Sequence, residues 1–284
     1  MVLACLVSLP ALSQENIPFK FEGQAIQVHV DKSHSLTVYD IIHDSELSWN
    51  DSKFDIPSYG FSPHTYWFRF TIPPQAKESL LVLDYALLDD ISYYRLQDQS
   101  IQETIYTGDK RLFADRPIEH RAFLFPIPPS QQQQQILLKI RSSSAIQVPL
   151  SLWPDKTFFE SDQYQFAEHG LYYGIVLVMA LYNFFLFLRL RDSAYGFYVF
   201  YVLIFASVQL SLTGFAYQFI WPDMPEWNEK SVAITAPIGF VCAIIFVCNF
   251  LKLDTYHPKI YKFFSLQAFA GLAISALSVP LSYQ

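Results

Sequence analysis

The run His64-Thr65-Tyr66-Trp67-Phe68-Arg69-Phe70 holds the side chains best suited to recognition chemistry. On a strand, Tyr66, Phe68 and Phe70 share one face while Thr65, Trp67 and Arg69 share the other. With the phenylalanine face buried, Trp67 and Arg69 point outward together, an aromatic platform beside a planar fork of donors that suits sugar hydroxyls or a carboxylate. The competing reading puts Trp67 in the core and pairs Arg69 with a local acid. Asp89-Asp90 invites acid–base chemistry, but neighbours on extended backbone face opposite sides and cannot flank one bond. A strand-end or turn role fits that pair better. Arg121, with His120 beside it, opens a strand and reaches a rim. The candidate ligand-binding set is therefore His64, Trp67, Arg69, Asp89 and Arg121, with no catalytic set.

Metal and cofactor chemistry find no support. The seven histidines are scattered without a His-x-His or His-x-x-x-His spacing, and His29 with Asp31 on one strand face is too small a set for an ion. Nine glycines leave little room for a phosphate loop, and no Gly-x-Ser-x-Gly occurs. No enzyme activity is expected of this chain.

The elements that must position these residues divide at about residue 160. Residues 15–160 hold 19 acidic and 13 basic side chains, so most of the net charge of −7 lies there. Such an acidic half gives no basic stripe for phosphates, which excludes nucleic acid as a partner. Its alternating runs at 24–30, 35–41, 64–72, 79–85, 91–96, 101–106, 121–127, 136–141 and 147–153 predict an antiparallel sandwich over 17–155. Pro73-Pro74, Thr107-Gly108-Asp109 and Pro128-Pro129-Ser130, the last followed by five glutamines, supply the turns. Residues 1–13 resemble a secretory signal with cleavage after Ser13. Cys5 falls in that segment, and Cys242 and Cys248 fall in one apolar run, so the sandwich is expected to hold without disulfides.

The second half predicts membrane-spanning helices at 170–188, 195–214, 231–251 and 263–283, after a connector at 156–169. Arg189 and Arg191 follow the first span, and Lys252, Lys259 and Lys262 follow the third; the loop after the second carries Asp223, Glu226 and Glu229 against Lys230. Positive-inside bias puts the first and third loops in the cytoplasm and the sandwich outside. No Asp, Glu, Lys or Arg falls inside a predicted span, which argues against a pump or proton-coupled carrier. Asn183 and Gln209 are expected to hydrogen-bond between helices, and Pro237 to kink the third span. With an external sensor, four crossings return the chain to the outside, so the output is expected to lie beyond these residues.

His64 to Phe70, then Asp84-Tyr85-Ala86-Leu87-Leu88-Asp89-Asp90-Ile91, Arg121-Ala122-Phe123 and Val148-Pro149-Leu150-Ser151-Leu152-Trp153, occur in the order of a known extracellular domain. The membrane half agrees through Gly170-Leu171-Tyr172-Tyr173-Gly174, Leu181-Tyr182-Asn183-Phe184-Phe185-Leu186, Arg191-Asp192-Ser193-Ala194-Tyr195 and Gln218-Phe219-Ile220-Trp221-Pro222. The chain resembles the bacterial seven-transmembrane receptors with diverse intracellular signalling modules, beginning with their type 2 extracellular domain. That resemblance implies a jelly-roll sandwich for carbohydrate or another small ligand. It also implies seven helices in the inner membrane and a cytoplasmic diguanylate cyclase or histidine kinase module, with a homodimer as one assembly. The alternatives are a membrane-tethered carbohydrate-binding or adhesion module without signalling, and a membrane enzyme or carrier, which needs buried ionisable groups that these spans lack.

Overall fold

The computed structural model describes residues 19–21, 26–52 and 54–278; the signal-like start lies outside them. Twelve strands occur among the described residues: β1 (Phe19–Lys20), β2 (Gln27–Asp31), β3 (Asn50–Asp51), β4 (Ser58–Gly60), β5 (Thr65–Ile72), β6 (Ser79–Leu83), β7 (Asp90–Gln97), β8 (Ser100–Thr107), β9 (Phe123–Ile127), β10 (Gln134–Arg141), β11 (Ile146–Gln147) and β12 (Leu150–Pro154). They pair antiparallel in a six-stranded sheet ordered β3-β2-β5-β10-β7-β8, a four-stranded sheet ordered β1-β12-β6-β9, and a β4-β11 ribbon.

Period-two alternation decides the core. Tyr66, Phe68, Phe70 and Ile72 of β5, with Ile136, Leu138 and Ile140 of β10, face Leu81, Leu83, Phe123 and Phe125 of the other sheet. Burying an aromatic or branched side chain of this kind contributes on the order of 1.5–3 kcal/mol, so this layer drives the sandwich.

The outer face of the six-stranded sheet is also covered. Residues 35–41 are not a strand: α1 (Val38–His43) takes their place. Thr37 caps it, its hydroxyl accepting from the Asp40 amide while the Asp40 carboxylate accepts from the Thr37 amide at 2.8 Å. Val38, Ile41 and Ile42 sit at i, i+3, i+4 spacing, and they close over Trp67, Tyr94, Leu96 and Leu137 in a second cluster.

The chain then enters α2 (Asp155–Leu190), α3 (Ser193–Leu212), α4 (Phe215–Phe219), α5 (Pro225–Phe250), α6 (Leu253–Tyr256) and α7 (Pro258–Ser278). Three of them, α2, α3 and α5, are long and apolar enough to cross a membrane; α7 begins the fourth expected span, whose end lies outside the described residues. At 1.5 Å per residue α2 is about 54 Å long against a hydrocarbon core of about 30 Å, so its first turns stand clear of the bilayer. Those turns are the connector, helical and continuous with the span, and Phe158 packs them on Leu80, Val82 and Leu124 of the four-stranded sheet. The α3–α5 connection returns to the sandwich, where the Phe113 amide donates to the Pro222 carbonyl at 3.3 Å. The loop after the second span therefore shares a side with the sandwich, as its scarcity of Lys and Arg predicts.

Candidate functional site

Two features share one loop region: a cleft at the end of the six-stranded sheet, and the junction between the sandwich and the helices. The cleft, of about 590 Å³, opens where β7 begins and β10 ends. Its wall carries Asp89, Asp90, Lys110, Arg141, Ser142 and the rim residue Phe61. Asp89 is buried, and its carboxylate is fully engaged: Oδ1 accepts from Ser142 Oγ at 3.0 Å, and Oδ2 accepts from the Ser143 amide at 2.9 Å and from Lys110 Nζ at 2.9 Å.

The turn that delivers Lys110 requires glycine. Gly108 has φ +147°, and a Cβ there would lie 1.9 Å from the Asp89 carbonyl oxygen. That close approach lets the Asp109 amide donate to the Leu88 carbonyl at 2.8 Å and sets Lys110 beside Asp89. Lys110 also reaches Glu229 of α5 at 3.0 Å. Burial works against its ammonium, but the two carboxylates outweigh that and hold it above the ordinary lysine range. Asp109 is buried in the same knot, and its Oδ1 has no hydrogen-bond partner among the described residues. Burial first, then the Asp89 charge, pushes its carboxyl up to about 8, which favours the protonated form.

The junction continues from there. Arg116 is buried, and its guanidinium donates to the carbonyls of His120 at 2.6 Å and Arg121 at 2.9 Å while lying over the rings of Phe113 and Phe123. Burial lowers its pKa to about 10, which still leaves it charged. Tyr217 of α4, also buried, donates to the Arg111 carbonyl. Arg121 donates to Asp162 at 3.2 Å and to Gln165 at 2.6 Å, both on α2, and its guanidinium lies 5.3 Å from the Phe215 ring centroid. His120 Nε2 meets Asp162 at 3.1 Å. Gly214, at φ +79°, lets the α3–α4 corner close on Ala86, whose Cβ would be 2.8 Å from an added Cβ. Helices α2, α4 and α5 are thus each tied to the sandwich by a different side chain.

The five expected binding residues fall in three places. Trp67 and Arg69 do leave the main core face, but α1 and Trp49 cover them: Trp67 has no exposed surface and stacks on Tyr94, while Arg69 donates twice to Gln27 Oε1 and lies over Trp49. The outward platform is corrected to a buried second layer, because the segment expected as a strand is the helix that roofs it. His64 stands behind the cleft rim beside His34, its Nδ1 buried with no hydrogen-bond partner among the described residues. Asp89 is in the cleft wall and Arg121 in the junction. The Asn183 amide donates to the Met179 carbonyl of its own helix at 2.9 Å, and its side chain has no partner on another helix among the described residues. The side chain of Gln209 makes no hydrogen bond among the described residues. Lys110, Arg141, Asp109, Arg116, Tyr217 and Glu229 had no sequence pattern to mark them; only the Thr107-Gly108-Asp109 turn pointed toward one of them.

An exported antiparallel sandwich clamped onto a bundle of apolar helices defines a membrane receptor with an extracellular sensing domain. Residues 23–154 match the 7TMR-DISM extracellular 2 family, and residues 165–284 match the 7TM diverse intracellular signalling family. The chain belongs to these seven-transmembrane signalling receptors. No curated protein matches it.

Proposed function

We propose that this chain is the sensing and first transmitting part of a bacterial inner-membrane receptor. Its periplasmic sandwich, jelly-roll-like by its two sheets, takes a small ligand of the carbohydrate class in the Asp89–Arg141 cleft. The helices pass the occupancy to a cytoplasmic output of the diguanylate cyclase or histidine kinase type; the chain's own part is detection rather than catalysis. The observation that carries the reading is Lys110, which lines the cleft and is bonded at once to Asp89 of the sandwich and Glu229 of α5. A ligand that touches Lys110 better in one state of the junction than in the other shifts the balance between those states, which is all that transmission requires. The exposed Phe61 ring offers a face on which a sugar ring stacks.

The test is a thermal-shift screen of the detergent-solubilised chain against mono- and oligosaccharides, amino acids and carboxylates, repeated with Phe61→Ala and Ser142→Ala. Stabilisation by one class that weakens in both folded variants is the expected result. Stabilisation that survives both variants would move the site elsewhere. A folded chain that no compound stabilises would favour the second reading in its adhesion form, a membrane-tethered module without signalling.

A further inference from the structure

Opposed across the β7–β10 pair, Asp90 and Arg141 are register partners, the geometry in which opposite charges normally join. They do not join. Asp90 lies 3.8 Å from Arg111 instead, and Asp89 has spent its oxygens on Ser142, Ser143 and Lys110. The Arg141 side chain has no hydrogen-bond, ion-pair or ring partner among the described residues, although it lines the cleft. The Asp89 carboxylate is thus committed to a protein cation, Asp90 leans toward Arg111 at the exposed edge, and the Arg141 guanidinium is left for a ligand. The second cation of the wall, Lys110, has its outer carboxylate partner, Glu229, on a membrane helix.

We propose that the ligand of this cleft is a sugar acid, a hydroxylated ring bearing one carboxylate, that Arg141 binds the carboxylate, and that the same carboxylate competes with Glu229 for Lys110. The proposal rests on the cleft reading above and specifies its chemistry. A guanidinium fork matches a carboxylate through two parallel N–H donors, whereas it offers a neutral hydroxyl only single bonds. The neighbouring Phe61, 82% exposed, holds the ring. A neutral sugar has no charge with which to draw Lys110 from Glu229, so only the acid both binds and loosens the sandwich from α5.

The experiment is calorimetric titration of the full detergent-solubilised chain with D-glucuronate and D-galacturonate against D-glucose and D-galactose at fixed low salt. The expected result is binding of an acid at least about tenfold tighter than its neutral counterpart, the size of one charge-assisted pair. Arg141→Ala removes that preference, Arg141→Lys keeps part of it, and Glu229→Gln, which frees Lys110, tightens the acid without changing the neutral sugar. Each variant is melted first to show that it is folded. Equal affinities for acid and neutral sugar, or an acid preference that survives Arg141→Ala, would overturn the proposal while leaving the carbohydrate-class receptor standing. Binding of none of the four to the folded protein would overturn the proposal, and the carbohydrate-class reading falls with it when the oligosaccharides of the thermal-shift screen also fail.

Discussion

Lys110 and Glu229 lie 3.0 Å apart, one on the loop after β8 and the other in the second turn of α5, so an ion pair spans the seam between the sandwich and the bundle. Both side chains are partly buried, at 30% and 18% relative exposure, where screening by solvent is weaker than at an open surface. A double-mutant cycle with Lys110→Met and Glu229→Gln is expected to give a coupling of about 1 kcal/mol, above the median for exposed pairs. Thermal melts of the four proteins in detergent measure it. A coupling indistinguishable from zero would remove this pair from the transmission route.

Gly108 is where the fold tolerates a substitution least. An alanine meets the Asp89 carbonyl at 1.9 Å in a backbone region that side chains avoid, so Gly108→Ala is expected to cost more than about 2 kcal/mol and to displace Lys110. The lowered melting temperature should come with loss of any ligand stabilisation.

Gly214→Ala tests the other side of the seam. Its Cβ would press on Ala86 and Arg121 across the junction, and neither belongs to the main core, so the sandwich should stay folded while α4 is pushed off it. Faster proteolysis between residues 108 and 121, with unchanged strand content by circular dichroism, is the expected signature. Unchanged proteolysis would mean that the corner relaxes without opening the seam.

The buried Asp109 makes stability depend on pH. Its carboxyl is raised from 3.8 to about 8 in the folded protein, so the native state keeps a proton that the unfolded chain releases above about pH 4. The stabilisation from this group is complete below the unfolded value, declines as pH rises across that window, and is gone above about 8. The slope reaches about 1.4 kcal/mol per pH unit for one such group. Asp109→Asn is expected to flatten the profile between pH 5 and 8, read as melting temperature against pH. An unchanged slope would show that another group dominates.

Trp67→Ala is expected to destabilise the chain by about 3–5 kcal/mol, as for a large aromatic removed from a packed site. Under conditions where the variant remains folded, its affinity for whatever the cleft binds should equal that of the parent. Altered affinity would mean that α1 lifts off its face.

The residues alone determined what depends on local period and charge. Alternating apolar positions made the inner faces of β5, β7 and β10 legible, and uninterrupted apolar runs made α2, α3 and α5 so, because burial on one face of a strand or all round a membrane helix writes itself along the chain. Loop charges placed the α3–α5 connection on the same side as the sandwich, and in the structure that connection meets the sandwich. The segment at 35–41 reads as a strand because Ser35, Leu36, Thr37 and Val38 alternate polar and apolar, while Val38, Ile41 and Ile42 make a single helical turn and the Thr37–Asp40 cap that settles it spans only four residues. What tertiary structure alone decided is the meeting of distant groups: Lys110 with Asp89 and Glu229, Arg121 with Asp162, Arg116 with Tyr217, and Arg141 left open opposite Asp90. Their separations along the chain run to more than a hundred residues, and no local pattern encodes which charge another will reach once two sheets and a helix have packed around it.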